Sequence, residues 1–225
     1  MPRIYLPATN AEQWAQLLAD PGRQWRTGYS ARTLAYSWQE AAGFPREVAA
    51  ALASAPDFHG IELLLALPEH QVPLPGGGRP SQADLWVLAR AGANLVSIAV
   101  EGKVAEPFGP TVGDWLRGAS SGKLARLAAL RLILGLRAEP PAGLRYQLLH
   151  RAASAVIEAK RFGARHAVLL IHSFSRAQHW FDDYAAFAAL FGAQAAVGRV
   201  VSAGLRDGVQ LHLCWVQGDA NYLAR

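Results

Sequence analysis

Two carboxylates and one lysine stand at the ends of two apolar segments near the middle of the chain. Asp84 opens the first segment, Glu101 closes the second, and Lys103 follows two residues later. Carboxylate oxygens are the ligands that Mg²⁺ prefers, and a nearby ammonium group can orient a water or stabilise charge on a phosphate. The pattern predicts metal-assisted hydrolysis of a phosphodiester, with Asp84 and Glu101 as ligands of Mg²⁺ or Mn²⁺.

The segments that must position these residues are predicted to form an antiparallel hairpin. Residues 85–89 and 94–100 are short and apolar, and a turn around Ala91-Gly92 joins them. The turn returns the chain so that Glu101 lies beside Asp84. Since residues two apart in a strand share a face, Glu101 and the lysine after it are expected to project together.

The remaining elements predict a mixed α/β fold. Strands are expected over residues 61–67, 85–89, 94–100, 166–172, 199–205 and 209–216. Helices are expected over residues 10–19, 30–42, 46–54, 122–136, 145–162 and 178–191. This order predicts a mixed central sheet flanked by helices. The length favours a single domain over residues 1–225, with a helical N-terminal region over 1–58 and an α/β core over 59–225.

The strand-embedded acids and lysine resemble the PD-(D/E)XK nuclease superfamily, which has the restriction-endonuclease-like fold. That superfamily places an acid on one strand and Glu-x-Lys on the next, and Asp84, Glu101 and Lys103 match this pattern. Ala83 precedes Asp84 where the pattern has proline. The resemblance implies a restriction-endonuclease-like core and a magnesium-dependent nuclease, with DNA as the expected partner.

The same resemblance assigns further residues. Gln147, at the start of a predicted helix, matches an auxiliary catalytic glutamine of some branches. An acid from an early helix sometimes completes the metal site, and Glu40 is the first candidate here, with Glu62 and Glu69 as alternatives. More specifically, the chain resembles an uncharacterised bacterial family within this fold through the segments Gly28-Tyr-Ser-Ala31, Gly43-Phe-Pro45, Gln82-Ala-Asp-Leu85, Glu101-Gly-Lys103 and Arg145-Tyr-Gln-Leu148.

The predicted helix over residues 145–162 carries a polar stripe. Gln147, Arg151, Ser154 and Glu158 recur at helical spacing and therefore share one face. That face points either to the metal site or to solvent, and the sequence leaves both open. Glu158 and Lys160 also form a second Glu-x-Lys, but residues two apart on a helix do not share a face.

The net charge of +5 is unevenly distributed along the chain. Residues 111–166 hold ten basic and three acidic side chains, whereas residues 61–110, which contain the proposed ligands, hold three and five. Nucleic-acid binding requires cations that neutralise phosphates. The candidate phosphate contacts are therefore Arg79, Lys123, Arg126 and Arg151.

Two other functions stay open. The same fold without catalysis would serve as a nucleic-acid or protein binding module. Gly118-Ala-Ser120-Ser-Gly122 also fits the G-x-S-x-G pattern of serine hydrolases, with Ser120 as nucleophile and Asp182 and His212 following in the expected order. The residues before Ser120 favour a helical turn over the strand that such a nucleophile needs, so a helix N-cap is the better interpretation.

Composition limits the remaining classes. Apolar residues make up 52% of the chain and charged residues 17%, which excludes an intrinsically disordered protein. The single cysteine, Cys214, excludes an intramolecular disulfide and a thiolate zinc cluster, and is expected to be a small buried residue. No segment has the length of a signal peptide or a membrane span, so we expect a cytoplasmic protein without a membrane partner. A homodimer stays open, because restriction-type enzymes often dimerise.

Overall fold

The computed structural model of the protein describes residues 8–225. Its N-terminal part comprises a 3₁₀ helix (Ala11–Leu17), α1 (Pro21–Gln24), α2 (Ser30–Glu40), α3 (Arg46–Leu52) and a 3₁₀ turn (Pro56–Phe58). The rest comprises β1 (Glu62–Val72), β2 (Ser81–Ala91), β3 (Asn94–Lys103), α4 (Val112–Leu116), α5 (Ser121–Ile133), α6 (Tyr146–Arg161), β4 (His166–Ser173), α7 (Phe181–Ala189), β5 (Arg199–Arg206), β6 (Val209–Gln217) and a 3₁₀ helix (Ala220–Ala224).

Local capping signals set several helix ends. The Asn10 side chain accepts from the backbone N–H of Gln13, and the Ser120 hydroxyl accepts from that of Lys123, so each satisfies a donor that the first turn leaves free. Gly163 follows the last turn of α6 with a φ of 65°, a conformation that glycine adopts without strain. The sequence therefore determines these boundaries locally.

The six strands form one sheet in the order β1-β2-β3-β4-β6-β5. β1, β2 and β3 form an antiparallel meander, β3, β4 and β6 run parallel, and β5 is antiparallel to β6. Helices α4–α6 cross between β3 and β4, as parallel neighbours require. The carboxyl ends of β3, β4 and β6 consequently meet at one edge of the sheet.

Apolar side chains alternate between two cores, one on each face of the sheet. Ala99 and Leu169 face α5, α6 and α7, whereas the next residues along the same strands, Val100 and Leu170, face α2 and α3. Cys214 is buried in the second core, as expected. The prediction of a mixed sheet flanked by helices is confirmed.

Two element boundaries differ from the sequence-based expectation. β1 continues past residue 67 through Pro68 and ends at Val72. Proline is tolerated there because β1 is an edge strand. α7 begins at Phe181 rather than at residue 178, because Trp180 has a φ of 70° and cannot continue a right-handed helix. Among residues 8–225, no helix is both long and apolar enough to cross a membrane.

A buried histidine connects the N-terminal helices to the sheet. Nε1 of Trp38, on α2, donates to Nδ1 of His172 at 3.1 Å, so the proton of this ring lies on Nε2. Nε2 of His172 lies 3.1 Å from a carboxylate oxygen of Glu47, on α3. Burial lowers the pKa of His172 below its ordinary value of 6.5, and the Glu47 carboxylate only partly opposes this. The native state therefore holds His172 neutral.

We expect the contribution of His172 to the free energy of unfolding to fall as the pH is lowered from about 7 to 5. The unfolded chain binds a proton at His172 near pH 6.5, whereas the folded chain does not, so each unit of pH costs up to about 1.4 kcal/mol at this residue. His172→Gln should be less stable at neutral pH but should lose less stability on acidification. Denaturant unfolding across this pH range measures the effect. The control, the exposed His179→Gln, should keep the wild-type slope, and an unchanged slope in His172→Gln would contradict the assignment.

Candidate metal centre

Three carboxylates lie in a row across neighbouring strands, at one end of the sheet. Leu85 pairs with Val100 in the antiparallel β2–β3 ladder. Asp84 and Glu101 are the next residues on the two strands, so they face each other. On β1, the residues on either side of Glu69 pair with the residues on either side of Asp84, because Pro68 pairs with Leu85 and His70 with Ala83. All three side chains line one cleft at this end of the sheet.

Glu101 is buried and is bonded through both carboxylate oxygens. Nζ of Lys103 donates to Oε1 at 2.6 Å, and Nε2 of Gln147 donates to the same oxygen at 2.8 Å. Nε of Arg151 donates to Oε2 at 2.6 Å. Burial alone would raise the pKa of Glu101, but the guanidinium and the ammonium outweigh it and lower this pKa to about 2. Glu101 is therefore ionised at neutral pH.

The other two acids have raised pKa values. Burial, with a further contribution from the Glu101 charge, raises the pKa of Asp84 to about 7. Burial, followed by the charge of Asp84, raises the pKa of Glu69 to about 9. Oδ2 of Asp84 accepts from the backbone N–H of Gly102 at 2.7 Å, and Oε2 of Glu69 accepts from the Gln82 amide at 2.8 Å. Crowded carboxylates of this kind are stabilised by a bound cation.

A polar network behind the acids orients Arg151. Its Nη1 donates to the Ser81 hydroxyl at 3.0 Å, and that hydroxyl lies 2.9 Å from Nδ1 of His150. Burial lowers the pKa of His150 to about 3, so the ring is neutral. The polar stripe of α6 thus points to the acids at Gln147 and Arg151, and Arg151 is the counterion of Glu101 rather than an exposed phosphate contact.

The row of acids opens into a cleft of about 700 Å³. Glu69, Asp84 and Glu101 lie on one side of this cleft, with Lys103 beside them. The segment 18–31 forms the wall of the cleft, and its exposed polar side chains are Asp20, Arg23, Gln24, Arg26 and Tyr29. The cleft therefore combines a carboxylate-rich floor with a mixed polar wall, on which Arg23 lies 4.0 Å from Asp20.

Comparison with known proteins places the chain in a family. A family model described as a domain of unknown function, DUF6946, matches residues 7–220. The chain belongs to the DUF6946 family. No curated protein and no solved structure matches it. The matched range of this DUF6946 protein includes every residue that lines the cleft.

The structure of the DUF6946 protein brings together the four residues that the sequence predicted as catalytic, namely Asp84, Glu101, Lys103 and Gln147. It does not bring Glu40 to them. Glu40 pairs with Arg225 at 3.0 Å and does not line the cleft. Glu62 pairs with Arg90 at the other end of β1, and Glu69 is the acid that joins the row. The sequence would have indicated Glu69 only if β1 had been extended past Pro68, since Glu69 lies in that part of the strand.

Arg126 of the DUF6946 protein does not present its guanidinium to solvent, which contradicts its prediction as a phosphate contact. Nε and Nη1 donate to the backbone carbonyls of Pro75 and Arg79 at 3.3 and 2.7 Å, and Nη2 donates to that of Gly77. At Gly76, an added Cβ would lie 2.7 Å from the backbone N of Arg126. Arg126 therefore anchors the glycine-rich loop over residues 73–80 to α5.

Most of the basic block over residues 111–166 is locally neutralised. Its ion pairs are Arg117–Asp114, Arg131–Glu139, Arg145–Asp183, Arg151–Glu101, Lys160–Asp207 and Arg161–Glu158. Lys123 donates to the carbonyl of Trp115 at 2.8 Å, and Arg79 is exposed on the glycine-rich loop. The charge excess that the sequence suggests as a continuous binding surface is therefore divided among separate pairs.

Ser120 of the DUF6946 protein is the N-cap of α5. Its hydroxyl accepts from the backbone N–H of Lys123 at 3.4 Å, and the element before it is α4 rather than a strand. His212, the histidine expected to act with it, lies on β6 with its ring 3.1 Å from that of His166. The geometry gives no support to a serine hydrolase.

Replacing Arg126 with methionine should release the glycine-rich loop of the DUF6946 protein, because three backbone carbonyls lose their donor. We expect hydrogen–deuterium exchange over residues 75–80 to rise at least about tenfold, which corresponds to about 1.4 kcal/mol of local stability. Arg131→Met, on the same helix, is the matched control and should leave exchange in this loop unchanged. Equal exchange in both variants would show that Arg126 does not hold the loop.

Proposed function

We propose that this protein is a Mg²⁺-dependent nuclease that hydrolyses phosphodiester bonds of DNA. The observation that carries the proposal is the convergence of Asp84, Glu101 and Lys103 at the open cleft, with Glu69 completing the row of acids. The residues also match the acid and Glu-x-Lys pattern of the PD-(D/E)XK nucleases. Two acids and a lysine in this arrangement suit hydrolysis at a phosphate.

The donor set fits a hard divalent cation. Asp84, Glu69 and Glu101 offer carboxylate oxygens alone, the ligands that Mg²⁺ and Mn²⁺ take. Burial, followed by the charge of neighbouring acids, raises the pKa values of Asp84 and Glu69, and a bound divalent cation would favour their ionised forms. When bound, such an ion would polarise a phosphate oxygen and acidify a water. Asp84 and Glu101 would hold it, and Glu69 would assist.

Two polar side chains are available to the reacting groups. The Lys103 ammonium is fixed by Glu101 and lies 4.9 Å from the centre of the Phe108 ring, so its position is well determined. Its remaining N–H donors can hold a water or a phosphate oxygen. Among the described residues, Oε1 of Gln147 is a buried oxygen without a hydrogen-bond partner. It can accept a hydrogen bond from an attacking water and so orient it, which fits the auxiliary role expected for this glutamine.

The wall formed by segment 18–31 is the proposed contact for the rest of the substrate. Arg26 and Arg23 are exposed on it and can contact phosphates, although Arg23 also lies 4.0 Å from Asp20, while Tyr29 offers an exposed ring on which a base can stack. These residues take over the role that the sequence assigned to Arg126 and Arg151. Arg79, on the glycine-rich loop, stays a candidate contact outside the cleft.

A binding module without catalysis is the second candidate. One observation favours it: Glu101 already accepts three hydrogen bonds, and the Arg151 guanidinium neutralises its charge. A carboxylate paired in this way binds a metal less strongly. This alternative predicts salt-sensitive DNA binding that does not depend on Asp84 or on divalent ions.

A cleavage assay separates the two candidates. We expect the protein to cleave linear, nicked or single-stranded DNA with Mg²⁺ or Mn²⁺, and to lose this activity with a chelator. Asp84→Asn and Lys103→Met should lower the rate by at least about 100-fold, because each removes a group at the reacting phosphate. Asp114→Asn, at an exposed ion pair outside the cleft, is the control and should cleave like wild type.

Each variant should first be shown to be folded by circular dichroism. Cleavage at the wild-type rate by Asp84→Asn and Lys103→Met would overturn the nuclease. DNA binding without cleavage, unchanged by the chelator and by Asp84→Asn, would establish the binding module instead.

A matched pair of variants identifies the third acid. Glu69→Gln should weaken Mn²⁺ binding at least about tenfold in calorimetric titration, since it removes an ionisable oxygen ligand beside Asp84. Glu40→Gln should bind Mn²⁺ as wild type does, because Glu40 pairs with Arg225 outside the cleft. If Glu40→Gln weakened Mn²⁺ binding and Glu69→Gln did not, Glu40 would be the third acid.

A further inference from the structure

A second group of potential ligands lies at the opposite end of the sheet from the cleft. His166 is the first residue of β4, and His212 lies on the neighbouring β6. Nδ1 of His166 lies 3.1 Å from Nε2 of His212. Asp57, in the 3₁₀ turn after α3, offers a carboxylate oxygen, and all three ligand atoms lie within 4.8 Å of one another.

The surroundings fix the two imidazoles in place. Both histidines are buried, and the Phe58 ring packs edge-on against them with centroid distances of 5.5 Å to His166 and 4.8 Å to His212. Asp57 is exposed, so the group is open to solvent on the side of its carboxylate. An ion would approach the two ring nitrogens from this side.

The protonation state suits metal binding. Burial lowers the pKa of His212 to about 4 and lowers that of His166 as well. Both rings are consequently neutral at pH 7, which is the form that coordinates metals. Without a metal, one ring donates an N–H hydrogen bond to the other, because their facing nitrogens are 3.1 Å apart.

We propose that Asp57, His166 and His212 form a binding site for Zn²⁺. Two imidazole nitrogens and one carboxylate oxygen are a donor set that Zn²⁺ accepts and that Mg²⁺ does not favour. In tetrahedral zinc coordination, neighbouring ligand nitrogens lie roughly 3.3 Å apart, close to the separation of the two rings here. Water would occupy the fourth position.

The site would connect the N-terminal helical region to the centre of the sheet. Asp57 belongs to the turn that leads from α3 into β1, whereas the two histidines belong to β4 and β6. A metal held by all three would stabilise the folded state by its binding free energy. This inference is independent of the proposed nuclease, because the carboxylate cleft contributes no ligand to it.

Zinc binding to the full chain, purified without a tag, tests the inference. In excess Mg²⁺, which would fill the carboxylate cleft, we expect calorimetric titration to show one equivalent of Zn²⁺ and a melting temperature above that in Mg²⁺ alone. Asp57→Asn, a surface change that leaves the core intact, should weaken binding about 10- to 100-fold, since loss of a ligand costs at least as much as loss of a supporting hydrogen bond. His212→Gln should abolish binding.

Two controls make the result specific. His179→Gln removes an exposed histidine elsewhere and should bind Zn²⁺ as wild type does, and Asp114→Asn, at an exposed ion pair outside the cleft, should do the same. Absence of zinc binding would overturn the site. So would zinc binding of equal affinity in wild type, Asp57→Asn and His212→Gln, which would place the metal elsewhere on the chain.

Discussion

The buried carboxylate of Glu101 is the constraint on which the site depends. A charge taken out of water must be compensated, and here the compensation comes from the strand itself, through Lys103, and from α6, through Gln147 and Arg151. Removing one partner from such a cluster typically costs about 3–5 kcal/mol. The helix α6 and the strand β3 are therefore held in one relative position. This also fixes the positions of the neighbouring acids.

The sheet separates two kinds of polar chemistry. The side that carries Asp84 and Glu101 also carries the long helix α6, whose polar stripe supplies cations to the acids. The other side carries neutral imidazoles at His166, His172 and His212, each packed against residues of the N-terminal helices. Strand alternation keeps Glu101 apart from His166 and His212, so the two proposed metal sites share no ligand.

The sequence was most informative where the signal was local. The apolar runs and the turn between β2 and β3 were sufficient to predict that Asp84 and Glu101 face each other. The third acid was harder, because the choice between Glu40 and Glu69 depends on how far β1 extends against β2. The role of Arg126 required the path of a loop about fifty residues earlier in the sequence. Pairs such as Arg145–Asp183 join distant segments, so counting charges along the chain overstated the exposed positive surface.

Gly102, the middle residue of the Glu-Gly-Lys motif, connects the two faces of the sheet. Its N–H is bonded to Asp84, and an added methyl group would meet both the Asp84 carboxylate and the Leu34 side chain of α2 at 3.4 Å. A methyl group just fits, and any larger side chain would displace one of these neighbours. The chemistry places no demand on the middle residue of the motif, but packing limits the size of its side chain. The position of α2 therefore affects the spacing between Asp84 and Glu101.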